Sequence, residues 1–136
     1  MTTIMLNENI TIDGLNCNVF ATECPEVLLI QPSARHETKN DGINREVKVL
    51  AATATKGFAI VFFDTVEWAK ALMPWQDEAV SRNEEVGRYA SNTLEYIIES
   101  LIPWLHERFG KLPCIIGGYS LGGLFALWAA RQSAAF

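Results

Sequence analysis

Between Gly117 and Gly123 the chain reads Gly-Gly-Tyr-Ser-Leu-Gly-Gly, which sets Ser120 at the centre of a G-x-S-x-G pattern. The pattern carries chemistry only at a junction between a strand and a helix. The flanking residues predict that junction: Pro113-Cys114-Ile115-Ile116 reads as a strand, and Leu121 to Gln132 as a helix apolar almost all round. A turn so tight pushes the serine into a strained backbone conformation with its hydroxyl exposed. Glycine is demanded at Gly118 and Gly122, where strand and helix nearly touch. The bland alternative is a glycine-rich turn holding an inert serine. A phosphate cradle is the weaker rival, because neither G-x-G-x-x-G nor G-x-x-x-x-G-K-[ST] occurs.

The elements that must position this turn fit one compact domain, 1–136. The 136 residues are 49% hydrophobic and 20% charged, enough apolar material for a single core. A net charge of -5 gives no electrostatic footprint for nucleic acid or an anionic membrane. No apolar run approaches the roughly 20 residues of a membrane span, and Met1-Thr2-Thr3-Ile4 opens no secretory leader, so we expect a cytoplasmic protein. Cys17, Cys24 and Cys114 form no CxxC pair and have no clustered histidine, so we expect reduced thiols and neither metal nor organic cofactor.

Along the chain, Ile10-Thr11-Ile12 and Cys17 to Phe20 alternate around Asp13-Gly14, a hairpin signal. Val27 to Ile30 is an unbroken apolar run, as is Phe58 to Phe63, and both predict strands buried on two faces. Ile43, Val47, Leu50, Ala51 and Ala54 between them recur at helical spacing, with Gly57 suited to a left-handed stop. Strand, helix, strand implies parallel pairing. Thr65 to Gly87 has no sustained period and carries Trp68 and Trp75, which either cover the sheet end or line a substrate pocket. From Arg88 an amphipathic helix runs to Gly110, with a bend expected at Pro103.

This order of elements, with the elbow and the helix Phe125-Ala126-Leu127-Trp128-Ala129-Ala130 after it, resembles the α/β-hydrolase superfamily, in its compact branch of enterochelin-esterase and esterase D relatives. The resemblance covers the whole chain. It implies an α/β fold in three α/β/α layers, with a mostly parallel sheet behind antiparallel N-terminal strands. It implies hydrolysis of a carboxylic ester through an acyl-enzyme on Ser120, with the N–H of Leu121 as one oxyanion donor. The second donor would come from the loop after the third strand, Ser33 or Ala34. Tyr119, Trp68 and Trp75 are candidate substrate-binding side chains for a small ester or acyl compound. The same elbow serves thioesterases and acyltransferases.

In that superfamily the acid and base follow the serine. Leu121 to Phe136 contain no Asp, Glu or His, so we expect the N-terminal half of such a hydrolase, truncated, with doubtful activity by itself. The rival reading is a non-catalytic structural or interaction module. Of the two histidines, His106 lies near the end of the long helix as a solvated residue, whereas His36, in Ser33-Ala34-Arg35-His36-Glu37, is a candidate pocket residue beside the serine. Arg35 is a solvated arginine or a contact for an anionic group. The elbow strand should stand at the sheet edge, and the following helix should bear more apolar surface than its sheet covers. We therefore expect a homodimer or higher oligomer.

Overall fold

Asp13 and Gly14 both have positive φ, +46° and +90°, the backbone that a two-residue hairpin with right-handed twist requires. They join β1 (Ile4–Ile12) to β2 (Leu15–Thr22), with Ile12 opposite Leu15. The computed structural model describes residues 3–34, 41–65, 67–75 and 87–136. β3 (Val27–Ala34) and β4 (Phe58–Thr65) pair in parallel along their whole length, and α1 (Asp41–Thr53) connects them. β5 (Cys114–Ile116) adds in parallel to the other side of β3, giving the order β1-β2-β4-β3-β5.

The fold is α/β, as the sequence implies, but the sheet is evenly mixed rather than mostly parallel. The β3–β4 and β3–β5 ladders are parallel, whereas β1–β2 and β2–β4 are antiparallel. The reason lies in the N-terminal hairpin: both strands outrun their short apolar signals, and β2 lays its length along β4.

Side chains of β4 alternate between two cores. Phe58, Ile60 and Phe62 meet Ile43, Val47 and Ala51 of α1. Ala59, Val61 and Phe63 face the opposite layer, with Leu28 and Ile30 of β3. Every residue of β4 is buried, as a strand covered on both faces must be. Each buried Phe or Ile contributes about 1.5–3 kcal/mol of transfer free energy.

The opposite layer holds α2 (Trp68–Leu72), α3 (Ala90–Tyr96), α4 (Ile102–Phe109) and α5 (Leu121–Gln132). α3 and α4 are one helical run joined by a π turn, Ile97–Leu101. Pro103 has no N–H to give the Glu99 carbonyl. The ladder widens just before it, the Ile102 N–H reaching back to Ile97 O, so the sequence's bend signal is met by a π turn. Gly110, at φ +97°, ends the run. The Tyr96 hydroxyl donates to Ile12 O at 2.8 Å and the Ser100 hydroxyl to Asp13 Oδ2 at 2.5 Å, fastening the hairpin to this helix.

Three local expectations are corrected. Gly57 has no positive φ; a Cβ there would stand 2.0 Å from the Cys24 carbonyl oxygen, so glycine serves a close chain approach and not a helix stop. Thr65 to Gly87 contains α2, too short to carry a sustained period. On α5, Phe125, Ala126 and Ala129 are buried and Leu124 and Trp128 partly so. Leu127 alone among its large apolar residues stays widely exposed, because glycines and alanines let the helix seat closely on the sheet.

Candidate active site

β5 is short because the chain leaves the sheet to make a turn. Its last ladder bond runs from the Gly117 N–H to Ile30 O at 2.9 Å, and three residues later Ser120 adopts φ +53°, ψ -127° at the head of α5. That conformation costs a non-glycine residue about 1–3 kcal/mol. The surroundings enforce it: a Cβ on Gly118 would lie 2.5 Å from the Gly122 carbonyl carbon and 2.6 Å from its oxygen. A Cβ on Gly122 would lie 3.2 Å from Trp68 Cη2 and 3.5 Å from Pro32 Cγ. Strand end and helix start thus touch through backbone, as the G-x-S-x-G spacing anticipates.

A serine at a helix N-cap ordinarily turns its hydroxyl onto the first-turn N–H groups from an extended backbone. Ser120 does not. Its hydroxyl makes no capping bond, and the N–H groups of Gly123 and Leu124 go instead to its carbonyl oxygen, at 3.0 and 3.3 Å. Ser120 is exposed, and its hydroxyl is not used to stabilise α5. The N–H of Leu121 belongs to the first turn, where no intrahelical carbonyl is available to it.

Ser33 and Ala34 lie at the end of β3 itself, not in the loop after it. The ladder to β4 continues through Ser33–Asp64 and Ala34–Thr65, and the Thr65 hydroxyl donates to Ser33 O at 2.8 Å. Backbone groups of alternate strand residues point to opposite neighbours. Leu28 N–H bonds Pro113 O and Ile30 O accepts from Gly117, so even-numbered residues of β3 face β5. The alternation turns the backbone of Ala34 toward the elbow side and that of Ser33 toward β4. It also explains Pro32 inside a strand: its missing N–H falls where β5 has already left the ladder. The Ser33 hydroxyl is buried and donates to Phe63 O at 3.3 Å.

Trp68 and Tyr119 meet at the turn, ring centroids 5.8 Å apart. Trp75 is about half exposed, and among the described residues no aromatic contact joins it to the elbow. His36 and Arg35 lie outside the described residues. His106 is placed away from the turn, its Nε2 3.8 Å from Sγ of Cys114 at the start of β5. Burial pushes the Cys114 thiol up, which disfavours a thiolate–imidazolium pair there. Among the described residues no group of three or more His, Cys, Asp or Glu is arranged to hold a metal, and no helix is long and apolar enough to cross a membrane. Sequence reasoning missed Pro32 as a neighbour of Gly122; no residue pattern signals which side chain will press on the elbow from another strand.

Comparison with solved structures finds three that are similar to this chain. TT1662 from Thermus thermophilus superposes with a TM-score of 0.57 at 22% identity, over 96% of this chain and 52% of its own. A cold-adapted esterase from an Arctic intertidal metagenomic library gives 0.52 at 12% identity, over 96% and 54%. BES protein from Bacillus cereus gives 0.49 at 16%, over 93% and 54%. The chain thus spans about half the length of these proteins. No curated protein matches it. The family model described as "Putative esterase" matches residues 11–135, nearly the whole sequence and the elbow with it, and on that match the chain belongs to the esterase family.

Proposed function

We propose that this chain is the nucleophile-bearing, N-terminal half of an α/β-hydrolase and that Ser120 attacks the carbonyl carbon of a small carboxylic ester. The observation that carries the reading is an exposed serine held at φ +53° beside crowded glycines, its hydroxyl unused as a cap. In the reaction the Ser120 Oγ forms the acyl bond and gives up its proton to a base, the carbonyl oxygen takes the negative charge, and the alcohol departs protonated. Water then releases the acid. The Leu121 N–H is one oxyanion donor, and the alternation in β3 favours Ala34 over Ser33 as the other. Trp68 and Tyr119 flank the acyl-accepting atom. No Asp, Glu or His follows Ser120 in this sequence, so the base is not among those residues. With no base elsewhere in the 136 residues, the chain alone would retain only the roughly 10³–10⁴-fold acceleration over water that binding and an oxyanion hole supply.

The test is turnover of a short activated ester by the wild-type chain and by Ser120→Ala, with and without added imidazole. Slow hydrolysis that imidazole accelerates and that Ser120→Ala abolishes supports the reading. Equal rates in the two proteins contradict it, and fast turnover without imidazole would place a base within the chain and make His36→Ala the next variant. The same reading extends to association. β5 pairs only with β3 among the described residues, and Ile115 on it is 54% exposed, an edge suited to two copies meeting about a two-fold axis. Sedimentation at micromolar concentration reads a dimer on this account and a cooperative monomer against it. Three unbridged cysteines, two of them buried, fit a cytoplasmic setting.

A further inference from the structure

A concavity lies at the end of β4, beside α2 and α3, with a volume of about 480 Å³. Leu15, Phe63, Ala71, Tyr89 and Tyr96 give it an apolar wall, beside polar side chains of β4, α2 and α3. Hydrogen bonds between elements fix those walls. The Thr93 hydroxyl donates to Ala71 O at 2.7 Å, holding α2 against α3, and Tyr96, tilted against Phe63 with centroids 5.9 Å apart, is held by its bond to Ile12 O. An apolar concavity of this size falls in the range of small-molecule sites.

We propose that this cavity binds a neutral aromatic small molecule. Ring-lined walls select a flat apolar body. Charge decides against an anion. The lining carries two carboxyl side chains, Asp64 and Glu67, against one ammonium, Lys70, so an anionic ligand meets net repulsion. A cationic ligand finds the Tyr89 ring face and Glu67 already engaged by Lys70, Nζ 5.0 Å from the ring centroid and 3.7 Å from the carboxylate. The hydroxyls of Thr65, Thr93 and Tyr96 are donating to backbone carbonyls. The Asn92 amide at the rim remains to bond a ligand N–H or carbonyl. The proposal does not depend on Ser120: binding to the cavity and acylation of the serine are read separately.

Indole, indole-3-acetate and tryptamine present one ring system with three charges. Titrated into the isotope-labelled 136-residue chain, indole is expected to bind with a sub-millimolar to low-millimolar Kd, to give intermolecular NOEs to the Leu15 and Thr93 methyl groups, and to outcompete indole-3-acetate by about tenfold. Ala71→Phe fills the cavity and should weaken indole binding by at least about tenfold while Ser120→Ala leaves it unchanged. Absence of indole shifts at about 5 mM, NOEs to other surfaces only, or tighter binding of tryptamine or indole-3-acetate than of indole would overturn the proposal. The NOEs on the wild-type chain keep it falsifiable if Ala71→Phe fails to fold.

Discussion

Asp13 and Ser120 are the two non-glycine residues with positive φ among the described residues, at +46° and +53°, and they hold that backbone for opposite reasons. At the hairpin the conformation is what two antiparallel strands need, Asp13 tolerates it, and its carboxylate is repaid locally by the Ser100 hydroxyl. Gly14 beside it has open space on its Cβ side, so glycine is there for φ alone. At the elbow the glycines are crowded by backbone, while Ser120 gains no side-chain capping bond. One turn relieves its strain where it arises. The other keeps strain on a single hydroxyl-bearing residue, with the rest of the fold supplying the stability, and such residues cluster where function is carried.

The contrast breaks most sharply on glycine. Gly118→Ala drives a Cβ into the Gly122 carbonyl and should cost about 3 kcal/mol or prevent folding. Gly14→Ala meets no atom and should lose only about 1–2 kcal/mol, the left-handed cost of a Cβ. Urea midpoints of the two variants give the comparison, and equal losses would remove it.

The strained residues themselves give the next effect. Ser120→Gly should raise stability by about 1 kcal/mol while abolishing every Ser120-dependent reaction, because glycine occupies that backbone without strain. Asp13→Gly should change stability by no more than about 0.5 kcal/mol, the relief being offset by loss of the Ser100 bond. Thermal melts of both variants decide it; a Ser120→Gly protein less stable than wild type would mean that the elbow holds no strain.

The smallest effect at neutral pH concerns the groups that fasten the two regions. Burial raises the Cys17 and Cys114 thiols above their ordinary 9.0, and the Tyr96 phenol above its ordinary 10.0, through burial first and then its neighbour Cys17. A folded-state pKa raised above the unfolded one means that these groups contribute fully below about pH 9 and lose that contribution as pH rises beyond it. Stability should therefore be insensitive to them at pH 7–8 and decline above pH 9, earliest in a wild-type chain and later in Cys17→Ala. A decline already present at pH 7 would contradict the assignment.

The elbow was legible because its chemistry is written in adjacent residues: Gly118, Ser120 and Gly122 need only a strand before and a helix after, and α5 runs from Leu121 to Gln132 as its composition predicts. The Asp13-Gly14 hairpin was legible for the same reason. What depends on contacts distant in sequence was not. The short apolar signals around the hairpin did not carry the lengths of β1 and β2, since tertiary pairing with β4 extends them. Which of Ser33 and Ala34 turns its backbone toward β5 follows from the register of β3 against β5, and Gly57 needed its contact with Cys24. The cavity beside α2 draws Leu15, Phe63 and Tyr96 from three separate elements, so no local pattern announces it.

The proposed function rests on acylation of Ser120. Its most direct test is intact-mass and peptide mapping after exposure of the folded 136-residue chain to an aryl fluorophosphonate, with imidazole as external base. The account predicts one adduct, on Ser120, that disappears in urea and in Ser120→Ala. Labelling spread over several hydroxyls, or undiminished in Ser120→Ala, would contradict it.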